Sequence, residues 1–146
     1  MADSPDIREL FAAHGLRWTK QREDIYSALA VCKTHPTAED LFQLVHSTSE
    51  PAGMSLATVY NTLEALTQAG LCRRLTTAAA DGAARFDADM SNHAHVILPS
   101  GDVRDLPADL SAEVLGHLPP DLLKRIEERV GIRIARASVE FTCHVR

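Results

Sequence analysis

The stretch Asp87-Ala-Asp-Met-Ser-Asn-His93-Ala-His95-Val-Ile-Leu98-Pro-Ser-Gly-Asp-Val-Arg-Asp105 combines a tight turn with residue types that bind metals. Alternate residues of a strand share a face, so His93 and His95 are predicted to point the same way. Leu98-Pro-Ser-Gly101 is typical of a reversal, because proline suits the second turn position and glycine the left-handed one after it. That turn pairs Leu98 with Asp102 and, further along, His95 with Asp105, and directly opposed residues share a face.

The predicted hairpin therefore presents two imidazoles and a carboxylate on one side, with Asp87 just upstream. Nitrogen and oxygen donors without a thiolate suit iron, manganese or zinc better than a soft metal. The alternative is an ordinary hairpin with an exposed polar face, because the pattern His-x-His is weak by itself. Asp105 in register is the feature that favours a metal site.

Length and composition indicate one globular domain, or two small ones. The chain has 146 residues, 45% of them hydrophobic, and a formal net charge of −5. A mildly acidic chain disfavours tight non-specific binding to nucleic acid, so any DNA contact must come from a local patch. No apolar run approaches a membrane span and the first residues lack a signal sequence, so the expected location is the cytoplasm.

The three cysteines, Cys32, Cys72 and Cys143, are far apart and form no CxxC pair. An odd, scattered set argues against a disulfide framework. Cys32 and Cys72 are expected to be buried and to act as small apolar residues.

The first part of the chain is predicted to contain three or four helices followed by a two-stranded wing, which is a winged helix-turn-helix. Apolar residues recur at helical spacing, and each helix has a start or stop signal. These signals are Gly15 after the first helix, Thr19 before the second, Thr37 with Asp40 before the third, and Ser55 and Gly70 around the fourth. A small helical bundle shares this periodicity and is the alternative.

Between and after these helices, the sequence predicts a loop over 50–53 and then the wing. Its strands are predicted over 71–77 and 84–86, joined by a turn at Asp81-Gly82, with Ala78-Ala79-Ala80 near its tip. Beyond the metal-site hairpin, helices are predicted over 108–116 and 119–130. The second has an apolar stripe formed by Leu122, Leu123, Ile126 and Val130.

The final stretch alternates apolar and polar residues from Val139 to Val145, as a strand does. The second part is therefore predicted to be a small α/β unit, whose free sheet edge suits pairing with a second copy. The predicted fold class is α+β, with an N-terminal winged helix-turn-helix followed by a small C-terminal α/β dimerisation domain.

The fourth predicted helix has residues suited to reading DNA. A helix in the major groove needs short polar side chains near its N-terminal half, and Ser55, Thr58 and Asn61 fit, with Tyr60 beside them. Asn can read adenine with two hydrogen bonds, and the Thr58 methyl and Tyr60 ring suit thymine methyls. This helix has no Lys or Arg, so phosphate contacts are expected from Arg17, Lys20 and Arg22, and more weakly from Arg73 and Arg74. The alternative is a solvated helix face.

Several motifs occur in order and together resemble the Fur family of metal-sensing transcriptional regulators. They are Thr19-Lys-Gln-Arg22, His35-Pro-Thr-Ala-Glu-Asp-Leu41, Ser55-Leu-Ala-Thr-Val-Tyr-Asn61, Gly70-Leu71, Arg85-Phe-Asp87 and His93-Ala-His95. The resemblance covers nearly the whole chain, and the combination is specific although each motif alone is weak. It implies a homodimer that binds a palindromic, A/T-rich DNA operator when metal-loaded and usually represses. The implied domains are a DNA-binding domain over 1–86, a hinge over 87–92 and a dimerisation and metal-sensing domain over 93–146.

Within the family, the motifs are most similar to the peroxide-sensing branch. The resemblance implies a regulatory site for Fe(II) or Mn(II), with Zn(II) possible. Its implied ligands are His35, Asp87, His93, His95 and Asp105. The iron-sensing branch typically has Glu where Asp87 and Asp105 stand, so two aspartates favour a peroxide sensor. The resemblance also implies His35 and His93 as the histidines that peroxide oxidises.

The chain departs from the family pattern in lacking two CxxC pairs, so no structural zinc is expected. An iron, manganese or zinc availability sensor of the same family is the nearest alternative function. A metal-independent DNA-binding protein and a small metallohydrolase are less favoured. An enzyme is not expected, because Ile97 and Leu98 occupy the region where a hydrolase would place further ligands, and no general base lies beside an open site.

Overall fold

The computed structural model describes residues 6–48, 53–75 and 83–145. The chain divides into two compact units, Met1–Met90 and Ser91–Arg146. The described elements are helices and short strands, which confirms the predicted α+β class. In the described part of the chain, every helix is too short or too polar to cross a membrane.

The described part of the first unit contains four helices, and the last three each begin directly after a predicted capping residue. The four helices are α1 (Ile7–Ala13), α2 (Lys20–Val31), α3 (Ala38–Thr48) and α4 (Leu56–Gln68). The Thr19 hydroxyl accepts a hydrogen bond from the Arg22 amide, 3.2 Å away, and so caps α2. Thr37 and Asp40 exchange two hydrogen bonds at the start of α3, which is the predicted capping box.

The helices of this unit bury one apolar face each around a common core. Phe11, Ile25, Leu41, Val59 and Leu63 are almost completely shielded from solvent. Their helical spacing is the reason, since apolar residues three or four apart share a face. Cys72 is buried with them as predicted, whereas Cys32 is only half-buried because α2 ends at Val31, one residue before it.

The wing of the first unit is an antiparallel pair, β1 (Arg73–Leu75) and β2 (Arg85–Asp87). Its register opposes Arg73 to Asp87 and Leu75 to Arg85. The predicted turn at Asp81-Gly82, the tip at Ala78–Ala80 and the end of the first predicted strand lie outside the described residues. Most of the loop predicted over 50–53 lies outside them too.

The described residues of the second unit form a three-stranded sheet and two helices. The sheet has the order β4 (Val103–Asp105), β3 (His95–Ile97), β5 (Glu140–Thr142), with β3 antiparallel to β4 and parallel to β5. The predicted reversal is present: the Leu98 amide donates to the Asp102 carbonyl at 2.8 Å, and Gly101 has φ +88°. Only a residue tolerant of positive φ fits that position.

Helix α5 (Ala108–Gly116) has its predicted bounds, and α6 (Leu122–Val130) begins three residues later than predicted. The delay has a local cause, because the Leu122 amide donates to the Pro119 carbonyl in a turn before the helix. The apolar stripe of α6 is on the surface of the single chain: Leu123 and Ile126 are more than a third exposed and Val130 is 59% exposed. Phe141 on the edge strand β5 is also exposed.

Candidate metal centre and candidate DNA-contacting surface

The β3–β4 hairpin of the second unit brings together the two histidines and the aspartate that the sequence places on one face. His95 and Asp105 are directly opposed in the ladder, as predicted. Asp105 Oδ1 lies 3.1 Å from His93 Nε2 and 3.4 Å from His95 Nε2. One donor atom from each of the three residues lies within 4.8 Å of the others. Three side chains therefore converge on a volume the size of one ion.

The orientation of the His93 ring is fixed by a hydrogen bond at Nδ1, the ring nitrogen that does not face Asp105. Its Nδ1 lies 2.9 Å from the Ser91 carbonyl oxygen, which can only accept, so Nδ1 carries the proton. Nε2 then faces the Asp105 carboxylate, with Oδ1 at 3.1 Å. A metal-binding histidine usually has its other ring nitrogen held in this way, which sets the tautomer for ligation.

The hairpin is held firmly against α5. The Ala94 amide, between the two histidines, donates to the Ser111 hydroxyl at 2.6 Å, and the Leu106 amide donates to the Ala94 carbonyl. His93 and His95 are buried, whereas the Asp105 side chain is 34% exposed. Buried donors on a braced strand lose little freedom on binding, and the partly exposed carboxylate leaves a route for an ion to enter.

The first unit contributes a second donor pair. His35 Nδ1 lies 3.7 Å from Asp87 Oδ1, and both side chains are buried. His35 has φ +51°, a left-handed conformation that costs a residue with a Cβ about 1–2 kcal/mol. Such strain persists only where surrounding contacts impose it, and it is frequent at binding sites.

The contacts that impose this conformation come from strand β2. The Phe86 amide donates to the Pro36 carbonyl at 3.0 Å, and Arg85 Nη1 donates to the His35 carbonyl at 3.3 Å. The same strand ends at Asp87, so the backbone that carries one donor also holds the loop that carries the other.

Asp87 is held on both of its carboxylate oxygens. Oδ1 accepts a hydrogen bond from the Asp89 amide at 2.8 Å, and Oδ2 lies 3.4 Å from Arg73 Nε. Arg73 also donates through Nη2 to the Asp89 carbonyl. Sequence reasoning missed both Arg73 and Arg85 as parts of this region, because arginines on a short wing strand are normally exposed.

The donors of both units are imidazole nitrogens and carboxylate oxygens. Neither set includes a thiolate: Cys72 packs in the helical core, where Thr67 and Leu63 are its hydrogen-bonding neighbours. This chemistry fits Fe(II), Mn(II) or Zn(II).

The residues predicted to read DNA lie at the start of α4, and some of their polar groups already form hydrogen bonds within the protein. The Ser55 hydroxyl accepts from the Thr58 amide at 3.2 Å, and the two hydroxyls are 3.0 Å apart in a capping box. The exposed Tyr60 donates to Glu39 Oε1 at 2.6 Å, and this hydrogen bond raises the pKa of Tyr60. Asn61 is exposed.

The basic residues predicted to contact phosphate differ in their exposure and in their contacts within the protein. Arg17 and Lys20 are exposed, but Lys20 pairs with Asp24 at 2.7 Å, and that hydrogen bond raises the pKa of the lysine. Arg22 Nη1 donates to the Arg17 carbonyl at 2.7 Å. Arg74 is exposed on the wing, whereas Arg73 is buried against Asp87, so the weaker prediction that Arg73 contacts phosphate is wrong.

A helical unit with a two-stranded wing, followed by an α/β unit with a His–Asp donor set, defines the class of winged-helix proteins with a candidate metal site. The family model described as the ferric uptake regulator family matches residues 13–115. The chain belongs to the ferric uptake regulator family.

Three relatives show the range of the similarity. The peroxide-responsive repressor PerR of Staphylococcus aureus strain Mu50 is 36% identical over 83 residues, which are 57% of this chain and 53% of the relative. The ferric uptake regulator of Pseudomonas aeruginosa, solved with manganese, is 25% identical, with a TM-score of 0.70 over 95% of this chain and 97% of that one. The Campylobacter jejuni peroxide stress regulator, 20% identical, supports the fold alone, with a TM-score of 0.64 over 100% of this chain and 98% of that one.

This chain spans about half the length of the curated relatives it matches. The Staphylococcus aureus relative is named a repressor and the Pseudomonas aeruginosa relative a regulator.

Proposed function

We propose that this protein is a metal-dependent, DNA-binding transcriptional repressor that senses peroxide through an iron site. The observation that carries the proposal is the convergence of His93, His95 and Asp105 on one volume of the β3–β4 hairpin. Two buried imidazoles and a carboxylate at these distances support a metal-ligand set over a solvated polar face.

The proposed site is completed by His35 and Asp87 of the first unit. In support, these two side chains are also buried, also face each other, and have the same nitrogen and oxygen chemistry. A single ion bound by donors from both units would restrict the hinge predicted over 87–92. Without metal, only a fraction of molecules would have the DNA-binding arrangement, and the apparent affinity for DNA would fall by that fraction.

DNA recognition is assigned to α4, and phosphate contacts to Arg17, Lys20 and Arg22. The exposed Asn61 supports this assignment, since its amide is available for bidentate contact with adenine. Ser55 and Thr58 support this role by capping the start of α4. Tyr60 supports it by presenting its ring beside Glu39, to which its hydroxyl donates a hydrogen bond. A homodimer would present two copies of α4 to the half-sites of a palindromic operator, roughly one helical turn apart or a multiple of that.

The exposed apolar stripe of α6 and the open edge at β5 support dimerisation through the second unit. Single chains rarely expose contiguous apolar surface without a partner. The partner proposed here is a second copy of the chain.

Peroxide sensing rests on the two aspartates at 87 and 105 and on the similarity to the peroxide-responsive repressor. In the net reaction, one oxygen atom of peroxide would insert into a ring C–H bond of His35 or His93 and the other would leave as water. The ring would be oxidised by two electrons and peroxide reduced by two, and bound Fe(II) would supply the redox chemistry for this step. An oxidised ring is a poorer ligand. Metal release would follow, and with it release of the operator.

The test uses a DNA duplex selected from a random pool with the Mn(II)-loaded protein. The Fe(II) form is prepared without oxygen and its DNA binding measured before and after a low dose of peroxide. The expected result is loss of binding, with one added oxygen on a peptide that contains His35 or His93. The Mn(II) form is the control and should keep both its mass and its DNA binding. Loss of binding with unmodified histidine peptides would overturn the peroxide mechanism.

A sensor of metal availability is the second candidate, because the same donors accept Mn(II) and Zn(II) as well as iron. It predicts reversible DNA binding that follows the free metal concentration and does not change with peroxide.

A further inference from the structure

We infer that Arg73 is a positioning residue that holds the Asp87 carboxylate in the metal-free protein and, by its buried positive charge, sets a lower affinity for divalent cations than the ligands alone would give. The inference rests on the proposed function, because it concerns the same metal site.

The first argument is geometric. Arg73 is directly opposed to Asp87 in the β1–β2 ladder, and its Nε lies 3.4 Å from Asp87 Oδ2. Its Nη2 donates to the Asp89 carbonyl, and the Asp89 amide in turn donates to Asp87 Oδ1. Arg73 therefore fixes both the carboxylate and the backbone turn beyond it, and the Oδ1 edge is left toward His35.

The second argument is electrostatic. The side chains of Arg73 and Asp87 are 8% and 4% exposed, so solvent screens their interaction poorly. A buried carboxylate is costly unless a positive charge or hydrogen bonds compensate it, and Arg73 provides that compensation when no metal is bound. A divalent cation on the same carboxylate is attracted to Asp87 and repelled by the guanidinium. Removing the guanidinium should strengthen metal binding and weaken the metal-free fold.

The neighbouring residue provides a matched control. Arg74 is on the same strand and has the same charge, but it is exposed on the opposite face. Arg74→Gln changes the net charge as Arg73→Gln does, without altering the surroundings of Asp87. Any difference between these two variants reports the buried position and not the overall charge.

The experiment measures Mn(II) affinity by calorimetry and metal-free thermal unfolding by circular dichroism, on the full chain. Arg73→Gln is expected to bind Mn(II) roughly tenfold more tightly than the natural protein, because one buried like charge is removed. Its metal-free form should unfold at a lower temperature. Arg74→Gln should stay within about twofold, and Arg73→Lys, which keeps the charge, should stay close to the natural affinity. If Arg73→Gln does not fold, Arg73→Met fills the same space without charge and should also bind more tightly.

Two results would overturn the inference in different ways. The first result is that the natural protein binds Mn(II) but the charge-free variants bind it no more tightly. That result would reject the role of Arg73 and leave the proposed metal site standing. Failure of the natural protein to bind Mn(II) would reject the proposed metal site, and this inference with it.

Discussion

His95 and Asp105 are directly opposed on neighbouring strands, and the imidazole Nε2 of one lies 3.4 Å from the carboxylate Oδ1 of the other. The register that opposes them is set three residues away, where the Leu98 amide bonds to the Asp102 carbonyl across a loop closed by Gly101. A one-residue slip would send Asp105 to the opposite face. The turn chemistry therefore determines whether this hairpin has a donor set at all.

Asp105→Asn tests that donor set with almost no change in shape. The amide is neutral and binds cations poorly, so Mn(II) affinity is expected to fall at least about a hundredfold, more than the loss of an outer-shell partner would cause. The measurement is calorimetric titration of the metal-free protein. The control is Asp109→Asn in the first turn of α5, which removes an equal charge from an exposed site. Equal affinities for the two variants would contradict the assignment of Asp105.

The left-handed backbone of His35 makes a second prediction, which separates strain from ligation. His35→Asn and His35→Ala should both lose Mn(II) affinity, because neither has the imidazole. With metal removed, the Ala variant should have a free energy of unfolding about 1 kcal/mol lower than the Asn variant, since Asn tolerates φ of +51° better. Urea denaturation of the two variants measures the difference. Identical stability would show that the loop relaxes to ordinary backbone angles.

Ser55→Ala removes the cap of α4. The Ser55 hydroxyl accepts from the Thr58 amide, and loss of such a cap costs about 1 kcal/mol of stability. Ser47 lies near the C-terminal end of α3, where its hydroxyl donates to the Leu44 carbonyl and caps no N–H group. Ser47→Ala should therefore change stability by less than about 0.5 kcal/mol. Urea unfolding of metal-free protein compares the two. A Ser55 variant as stable as the natural protein would mean that solvent replaces the cap without loss.

Cysteine reactivity gives a prediction that is independent of metal. Burial raises the pKa of the Cys72 thiol, so its thiolate is scarce as well as shielded. In folded protein, iodoacetamide should modify the half-buried Cys32 and Cys143 and leave Cys72 unmodified, as counted by peptide mass spectrometry. Fast modification of Cys72 in folded protein would contradict its placement in the core.

The same shift has a consequence for stability. The pKa of Cys72 is higher in the folded chain than in the unfolded chain, so its contribution is fully present below the ordinary thiol pKa. It is lost as the pH rises through the ordinary pKa toward the raised one, because the unfolded chain gives up the proton first. Cys72→Ala should therefore lose less stability than the natural protein when the pH is raised above the ordinary thiol pKa. An equal loss in both would assign the alkaline effect to other groups.

The parts of the fold that were predictable from sequence depend on local chemistry. Thr19 and Ser55 cap helices through bonds within three residues, and Gly101 and the Leu98–Asp102 pair set a register that extends to Asp105. The candidate site was predictable to the same extent: the face shared by His93, His95 and Asp105 follows from strand alternation and that turn.

The remaining parts depend on contacts that sequence spacing does not specify. The β1–β2 register opposes Arg73 to Asp87, and the residues that join these two strands lie outside the described part of the chain. Residue spacing within the strands specifies neither this register nor the burial of Arg73, so that burial was missed. The late start of α6 follows from a turn at Pro119 that competes with the helix.

The measurement that tests the central claim most directly is the number of Mn(II) ions bound per chain, counted by electron paramagnetic resonance. It is made on the natural protein and on variants altered in either unit. One ion held jointly by both units predicts that Asp87→Asn in the first unit and His93→Ala in the second each abolish the same single high-affinity site. If either variant kept that site at its natural affinity, the donors of the two units would not share an ion, and the proposed coupling between metal and DNA binding would be contradicted.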